Sequence, residues 1–167
     1  MAVRLAELLE KMDYQLIQGN LDTEVEDLAY DSRRVTPGML FVAIAGFVVD
    51  GHKFIPDVIQ RGASVIVVER ETEIPDHEIT VIRVANGREA LSRMSQAYFG
   101  YPAERMISIG ITGTKGKSTT AYMIRDIIEK SGKTCGIVGT IGIYINGTVT
   151  PTEHTTPESY DLQKAFA

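Results

Sequence analysis

The sequence predicts an α/β fold with two parts, and three observations support this prediction. Short apolar runs alternate with stretches at helical spacing along most of the chain. That strand–helix–strand order is typical of sheets with at least partly parallel strands. A helix-ending Gly-Tyr-Pro at residues 100–102 is followed by a new strand, glycine loop and helix. We therefore expect an N-terminal part over residues 1–101 and a C-terminal part over residues 102–167.

In the N-terminal part, apolar spacing predicts three helices and three strands. In chain order they are a helix at 2–12, a strand at 39–44, a helix at 53–63, strands at 64–69 and 80–84, and a helix at 86–100. Pro37-Gly38 marks a turn before the first strand. Gly62 is a natural stop for the second helix, and Asn86 is a natural N-cap for the third.

The C-terminal part repeats the strand–helix–strand order. Its predicted elements are a strand at 106–111, a helix at 117–131, a strand at 134–138 and a hairpin within 141–152. Asn146-Gly147 favours a two-residue hairpin turn. This part is too short to cover both faces of a parallel sheet, so we expect the sequence to be the front portion of a longer protein.

Composition excludes several classes of protein. The 167 residues are 44% hydrophobic and 23% charged, as in ordinary globular proteins. A net charge of −5 without a basic run argues against a nucleic-acid surface. Cys135 is the single cysteine, so no internal disulfide can form. No signal peptide or apolar run of membrane-spanning length is evident. We expect a cytoplasmic monomer without membrane insertion.

The segment Gly113–Thr119 has the composition of a phosphate-binding loop. A loop between a strand and a helix can direct backbone amides at an anion, and Gly113 and Gly116 permit the necessary dihedrals. Lys117 can reach β- and γ-phosphate oxygens, and the Ser118 hydroxyl can ligate Mg²⁺. The strict G-x-x-x-x-G-K-[ST] pattern fails, because an isoleucine occupies its first position. A turn that merely favours glycine is the alternative interpretation.

The loop resembles that of the Mur ligase superfamily, whose ATP-dependent members form amide bonds, among them those of cell-wall precursors. The matching residues are Gly113, Thr114, Lys115, Gly116, Lys117, Ser118 and Thr119. The resemblance implies that these residues bind ATP, that Lys117 is catalytic and that Ser118 holds Mg²⁺. Asparagine is commoner in the family at the position of Lys115, so only a backbone role is implied there.

Two further segments resemble one branch of this superfamily. Residues 31–69 carry D-S-R-x-V-x-x-G-x-L-F-V-A, D-G-H-x-F-I and R-G-A, and residues 139–163 carry G-T, then T-T-P-E and D-L-Q. The branch adds the third amino acid, meso-diaminopimelate or L-lysine, to UDP-MurNAc-L-Ala-D-Glu. The resemblance implies a uridine-binding N-terminal domain over 1–101 and the start of a P-loop ATPase domain over 102–167.

Substrate-binding residues follow from the same resemblance. Ser32 is implied to hydrogen-bond the uridine, helped by backbone of residues 47–49. Asp31-Ser32 can equally be an ordinary turn cap, and the apolar residues 47–49 can be core or loop. His52 is more often a packing or surface residue, so we assign it no role.

A second set of substrate contacts is implied at residues 154–156. Thr155 and Thr156 match a pair that holds the substrate, and hydroxyls suit phosphate oxygens. His154 matches a polar substrate contact. The same threonines can begin a helix instead. Glu153 and Glu158 are candidate Mg²⁺ carboxylates, although solvated acids before a helix are commoner.

The implied chemistry is ATP-dependent activation of the D-Glu γ-carboxylate, followed by attack of the incoming amine. Further metal and amino-acid-selecting residues of the family are expected beyond residue 167, so this chain alone should not turn over. Three alternatives remain: a ligase acting on the tripeptide precursor, a non-catalytic UDP-sugar or ATP-binding module, and a nucleotide hydrolase that shares only the loop.

Overall fold

The structure, a computed structural model, describes residues 2–46, 49–151 and 157–167. The chain divides into two compact units, at residues 1–102 and 103–166. Each unit combines helices with its own β-sheet, which confirms the expected α/β class. We call them the first unit and the second unit.

The first unit is built on a five-stranded mixed sheet. The described part of this unit contains seven strands, five of them in this sheet: β1 (Val3–Arg4), β2 (Gln15–Gln18), β3 (Glu24–Val25), β4 (Leu28–Ala29), β5 (Leu40–Val42), β6 (Val65–Val68) and β7 (Thr80–Arg83). Its helices are α1 (Leu5–Leu9), α2 (Ile55–Gln60) and α3 (Gly87–Tyr98). The sheet order is β2-β7-β6-β5-β4, and β1 pairs separately with β3. Strands β4 to β7 are parallel, whereas β2 lies antiparallel at the edge beside β7.

Both faces of the central strands are buried. All residues of β5 and β6 are buried, as expected for parallel strands covered on both sides. Alternate side chains, such as Phe41 and Ile66, join the core that includes Val58 of α2. Helices α1 and α3 contact one another and bury Leu8 and Leu91. The apolar runs predicted as strands are therefore the core of the sheet.

Helix ends follow the predicted signals. Helix α2 ends before Gly62, whose φ of +88° is the left-handed conformation that glycine adopts without strain. Its amide donates to the carbonyl of Ile59 at 2.9 Å. Helix α3 begins after Asn86, whose side chain accepts the Glu89 amide at 3.1 Å. Both predictions are confirmed.

The predicted N-terminal helix was too long. Only Leu5–Leu9 is helical, and Val3–Arg4 instead forms a strand paired with Val25 and Glu24. The apolar spacing still marks the buried face, because Leu5, Leu8 and Leu9 are all in the core. Pairing with a strand about twenty residues away overrides the local helical preference at the start.

The second unit contains two helices and a three-stranded antiparallel sheet. These are α4 (Lys117–Lys130), β8 (Gly136–Gly139), β9 (Gly142–Ile145), β10 (Thr148–Thr150) and α5 (Ser159–Phe166), with sheet order β10-β9-β8. Asn146 and Gly147 form the β9–β10 turn with φ of +48° and +85°, so the hairpin prediction is confirmed. Within the described ranges, no helix is long and apolar enough to cross a membrane.

The strand predicted at residues 106–111 does not form. This segment has no regular secondary structure, and Ile107 is 92% exposed. A strand requires ladder hydrogen bonds with a neighbour. In the described part of the second unit, β8, β9 and β10 pair only among themselves, which leaves this apolar segment without a partner strand.

The core assignment leads to a stability prediction. Replacing Phe41, which is 1% exposed, by alanine should lower the unfolding free energy by about 3–5 kcal/mol, because it removes buried apolar area and leaves a cavity. Urea unfolding followed by circular dichroism measures the change. Phe54→Ala, at a side chain that is 38% exposed, is the matched control and should cost well under half as much. Equal losses in the two variants would contradict the assigned core.

Candidate functional site

The glycine loop of the second unit leads directly into α4. Gly116 is the N-cap of this helix in a left-handed conformation with φ of +79°, and Gly113 has φ of +153°. A Cβ at Gly116 would meet nothing within 4 Å, so the backbone conformation, not crowding, requires the glycine. Residues 112–120 are all exposed. The loop is thus open to solvent at the start of the helix.

The start of α4 carries positive potential without a side-chain cap. Gly116 offers no side-chain acceptor to the first helical amides. The ammonium of Lys117 turns back over the loop and donates to the Gly113 carbonyl at 2.7 Å. An ammonium and the positive end of a helix macrodipole therefore meet at one exposed place. This arrangement suits an anion with several oxygens, such as the polyphosphate of a nucleotide.

The structure brings together Gly113, Thr114, Lys115, Gly116, Lys117, Ser118 and Thr119 as one exposed loop and first helical turn. Ser118 lies in that first turn and is exposed. Across the described ranges, no group of three His, Cys, Asp or Glu side chains could hold a metal ion. The assignment of Ser118 as a Mg²⁺ ligand stays a prediction.

A second candidate region is the carboxyl edge of the parallel sheet in the first unit. Loops that follow parallel strands emerge at the same edge, where α/β proteins bind ligands. After β4 comes a short turn at Ser32–Arg34, and after β5 comes another at Gly51–Phe54. Glu69 follows β6, and Asn86 lies in the loop between β7 and α3. We refer to this region as the carboxyl edge.

At the β4 end of the carboxyl edge, Asp31 organises the turn that contains Ser32. Its carboxylate accepts the Arg33 amide at 3.0 Å and also pairs with the Arg33 guanidinium at 2.7 Å. These hydrogen bonds and the guanidinium lower the pKa of Asp31. The turn-cap interpretation of Asp31 therefore describes what is observed. Ser32 itself is only 8% exposed, and its contact with uridine stays a prediction.

At the centre of the carboxyl edge lies a hydrogen-bond network around Glu69. The Glu69 carboxylate accepts the Ala45 amide at 3.1 Å and the Gly87 amide at 2.6 Å. Its backbone amide donates to Nε2 of His52 at 3.1 Å. Glu69, which directly follows β6, thus connects the loop after β5 with the start of α3.

His52 extends the network to Asp50. Because Nε2 of His52 accepts a backbone amide, its Nδ1 carries the proton and donates to Asp50 at 2.7 Å. The other Asp50 oxygen pairs with Arg70. The Arg70 guanidinium, followed by the His52 amide and ring, holds the pKa of Asp50 well below its usual range. His52 was expected to be a packing or surface residue. The D-G-H pattern is visible in the sequence, but the partner of His52, Glu69, lies 17 residues away.

Several predicted contacts fall outside the described residues. These are Phe47 and Val48 of the predicted uridine loop, and Glu153, His154, Thr155 and Thr156 of the predicted substrate segment. Val49, next to the first gap, is 50% exposed. Glu158 precedes α5, where its carbonyl accepts the Leu162 amide at 3.0 Å.

Comparison with known proteins matches both parts of the chain to one family. The model of the Mur ligase family, catalytic domain, matches residues 24–99, and the model of the Mur ligase middle domain matches residues 111–167. Among curated proteins, the UDP-N-acetylmuramoyl-L-alanyl-D-glutamate–2,6-diaminopimelate ligase of Clostridium perfringens is 43% identical over 162 residues. The ligase of the same name from Clostridium tetani is 40% identical over 166 residues.

The match to these relatives covers nearly all of this chain but only part of each relative. It covers 97% and 98% of this chain but 33% and 34% of the relatives, so the chain spans about a third of their length. Among solved structures, a ligase of that name superposes with a TM-score of 0.72 at 23% identity, over 99% of this chain and 33% of that chain. It shows the fold. MurF from Acinetobacter baumannii superposes with a TM-score of 0.62 at 27% identity, over 78% of this chain and 28% of its own. With two domain models of one family matching in order, and relatives of that family aligned along nearly its whole length, the chain belongs to the Mur ligase family.

Proposed function

We propose that this chain is the front portion of a MurE-type ligase, which uses ATP to add the third amino acid to UDP-MurNAc-L-Ala-D-Glu in peptidoglycan synthesis. The observation that carries the proposal is the open start of α4, where Lys117 lies over a glycine loop without a side-chain cap. That arrangement suits the polyphosphate of ATP. The aligned relatives carry the name of one such ligase, which supports this choice of reaction.

The N-terminal and C-terminal parts of the chain would bind different substrates. Residues 1–101 would bind the UDP end of the precursor at the carboxyl edge, with Ser32 as a contact. Residues 102–167 would begin the ATP-binding domain, with the loop Gly113–Thr119 around the phosphates. Thr155, Thr156 and His154 would hold the precursor.

ATP with Mg²⁺ would supply the phosphoryl group that activates the γ-carboxylate of D-Glu toward an amine. The residues of this chain position that group and neutralise its charge. The Lys117 ammonium would exchange its Gly113 carbonyl for phosphate oxygens, and the Ser118 hydroxyl would be a ligand for Mg²⁺. Backbone amides at the start of α4 would donate to the same phosphate oxygens.

The third amino acid is best proposed from the relatives. Those named above are diaminopimelate ligases, which favours meso-diaminopimelate over L-lysine. The ligase would act in the cytoplasm, where nucleotide-linked precursors and ATP are available, and we propose that it is a monomer.

A MurF-type ligase is the second candidate, because MurF structures superpose on 78% of the chain. The two types separate by precursor. A MurE-type protein should bind UDP-MurNAc-L-Ala-D-Glu more tightly than the tripeptide precursor, and the reverse preference would favour the MurF type.

The first functional prediction concerns Lys117. Lys117→Ala should weaken binding of an ATP analogue by about 10- to 100-fold, because it removes hydrogen bonds from a charged donor to phosphate. Lys115→Ala is the matched control: it removes the same charge from the same exposed loop and should have a much smaller effect. Fluorescence titration with a labelled ATP analogue measures both variants. An equal loss in both would show that only net charge matters.

The second functional prediction concerns Ser32. Calorimetric titration with UDP-MurNAc-L-Ala-D-Glu, and with UDP alone, should show binding that Ser32→Ala weakens by about 2- to 10-fold, the usual effect of one neutral hydrogen bond. Ser108→Ala, at an exposed serine of the second unit, should leave the affinity unchanged. If a folded wild-type chain binds neither ligand, the uridine-binding role of the first unit is wrong.

A further inference from the structure

At the carboxyl edge, Glu69 connects the loop after β5 with the start of α3. Its two carboxylate oxygens accept amides from opposite sides, Ala45 in the loop after β5 and Gly87 at the start of α3. Charge-assisted hydrogen bonds of this kind are roughly twice as strong as neutral ones. One side chain that belongs to neither segment therefore helps to position both.

The loop after β5 is also held at its base. Ala45 and Asp50 form an antiparallel bridge, and the Gly51 amide donates to the Ile44 carbonyl at 2.8 Å. His52, whose side chain is 4% exposed, fixes Asp50 on one side and accepts the Glu69 amide on the other. Glu69 and His52 together thus determine how the Ala45–Asp50 base lies against β6.

The same carboxylate also occupies the start of α3. A helix N-terminus at the carboxyl edge of a parallel sheet is a common phosphate site. Here the Gly87 amide already donates to Glu69, and a Cβ at residue 87 would lie 3.1 Å from that carboxylate oxygen. A phosphate at this place would meet a negative charge. The nucleotide is therefore directed to the β4–β5 side of the edge, where Ser32 and the Ala45–Asp50 base lie.

We propose that Glu69 is a positioning residue for the nucleotide end of the substrate. It holds the Ala45–Asp50 base against β6 and α3, and it keeps the diphosphate away from α3, without contacting the nucleotide itself. The inference rests on the proposed uridine-binding role of the first unit.

The test compares UDP binding by Glu69→Gln and Glu71→Gln in the same chain. Both variants lose one negative charge, but Glu71 is exposed and lies two residues further on. We expect UDP affinity to fall about tenfold or more in Glu69→Gln and to stay unchanged in Glu71→Gln. Affinity for an ATP analogue should be unaltered in both. Amide NMR gives a second readout: the Ala45 and Gly87 amides should shift and exchange faster in Glu69→Gln only.

A second variant guards against misfolding of Glu69→Gln. Gly87→Ala keeps every charge and pushes its Cβ toward the Glu69 carboxylate, so it should weaken UDP binding in the same direction but less. Suppose that the wild type binds UDP and that Glu69→Gln and Gly87→Ala bind it as tightly as the wild type, although the Ala45 and Gly87 amides are altered in Glu69→Gln. The positioning role is then wrong, while the proposed function stands. If the wild type binds no UDP, the proposed function fails and this inference with it.

Discussion

Parallel pairing of β4 to β7 is the constraint on which the first unit depends. Parallel strands need a crossover after each strand, so every following loop leaves the sheet at the same edge. Amides in these loops have no ladder partner, and buried or half-buried amides need another acceptor. Side chains of the loops themselves supply it: Asp31, Asp50, Glu69 and Asn86 each accept a backbone amide. The side-chain acceptors at this edge thus follow from its topology.

Most of the fold was predictable because its signals are local. The apolar runs of β5 and β6, the Asn86 cap and the Asn146-Gly147 turn each depend on residues adjacent in sequence. Strands β2, β3 and β4 were not predicted, and the two wrong assignments, at residues 2–12 and 106–111, have one cause. Whether an apolar segment becomes a strand depends on a partner elsewhere in the chain, and spacing within the segment carries no information about that partner.

The candidate site divides in the same way. The glycine loop before α4 was predictable, since Gly113, Gly116 and Lys117 lie within five positions of one another. The Glu69 network was not, because Glu69 is 24 residues from Ala45 and 18 from Gly87. An acid directly after a buried strand gave the only sequence signal. Only the sheet topology shows which amides such an acid can reach.

The two long helices α3 and α4 show how one backbone feature leads to opposite outcomes. Each begins with amides that lack helical partners and with the positive end of a macrodipole. At α3 the chain satisfies this end internally, with Asn86 as cap and Glu69 as a resident anion. At α4 the cap is a glycine, and the side chain that turns toward the loop is a lysine, which adds positive charge. The internal carboxylate at the start of α3 disfavours phosphate there, whereas the lysine at the start of α4 favours an anion. The two helix starts thus differ in electrostatic character, because a carboxylate lies at the start of α3 and an ammonium at the start of α4.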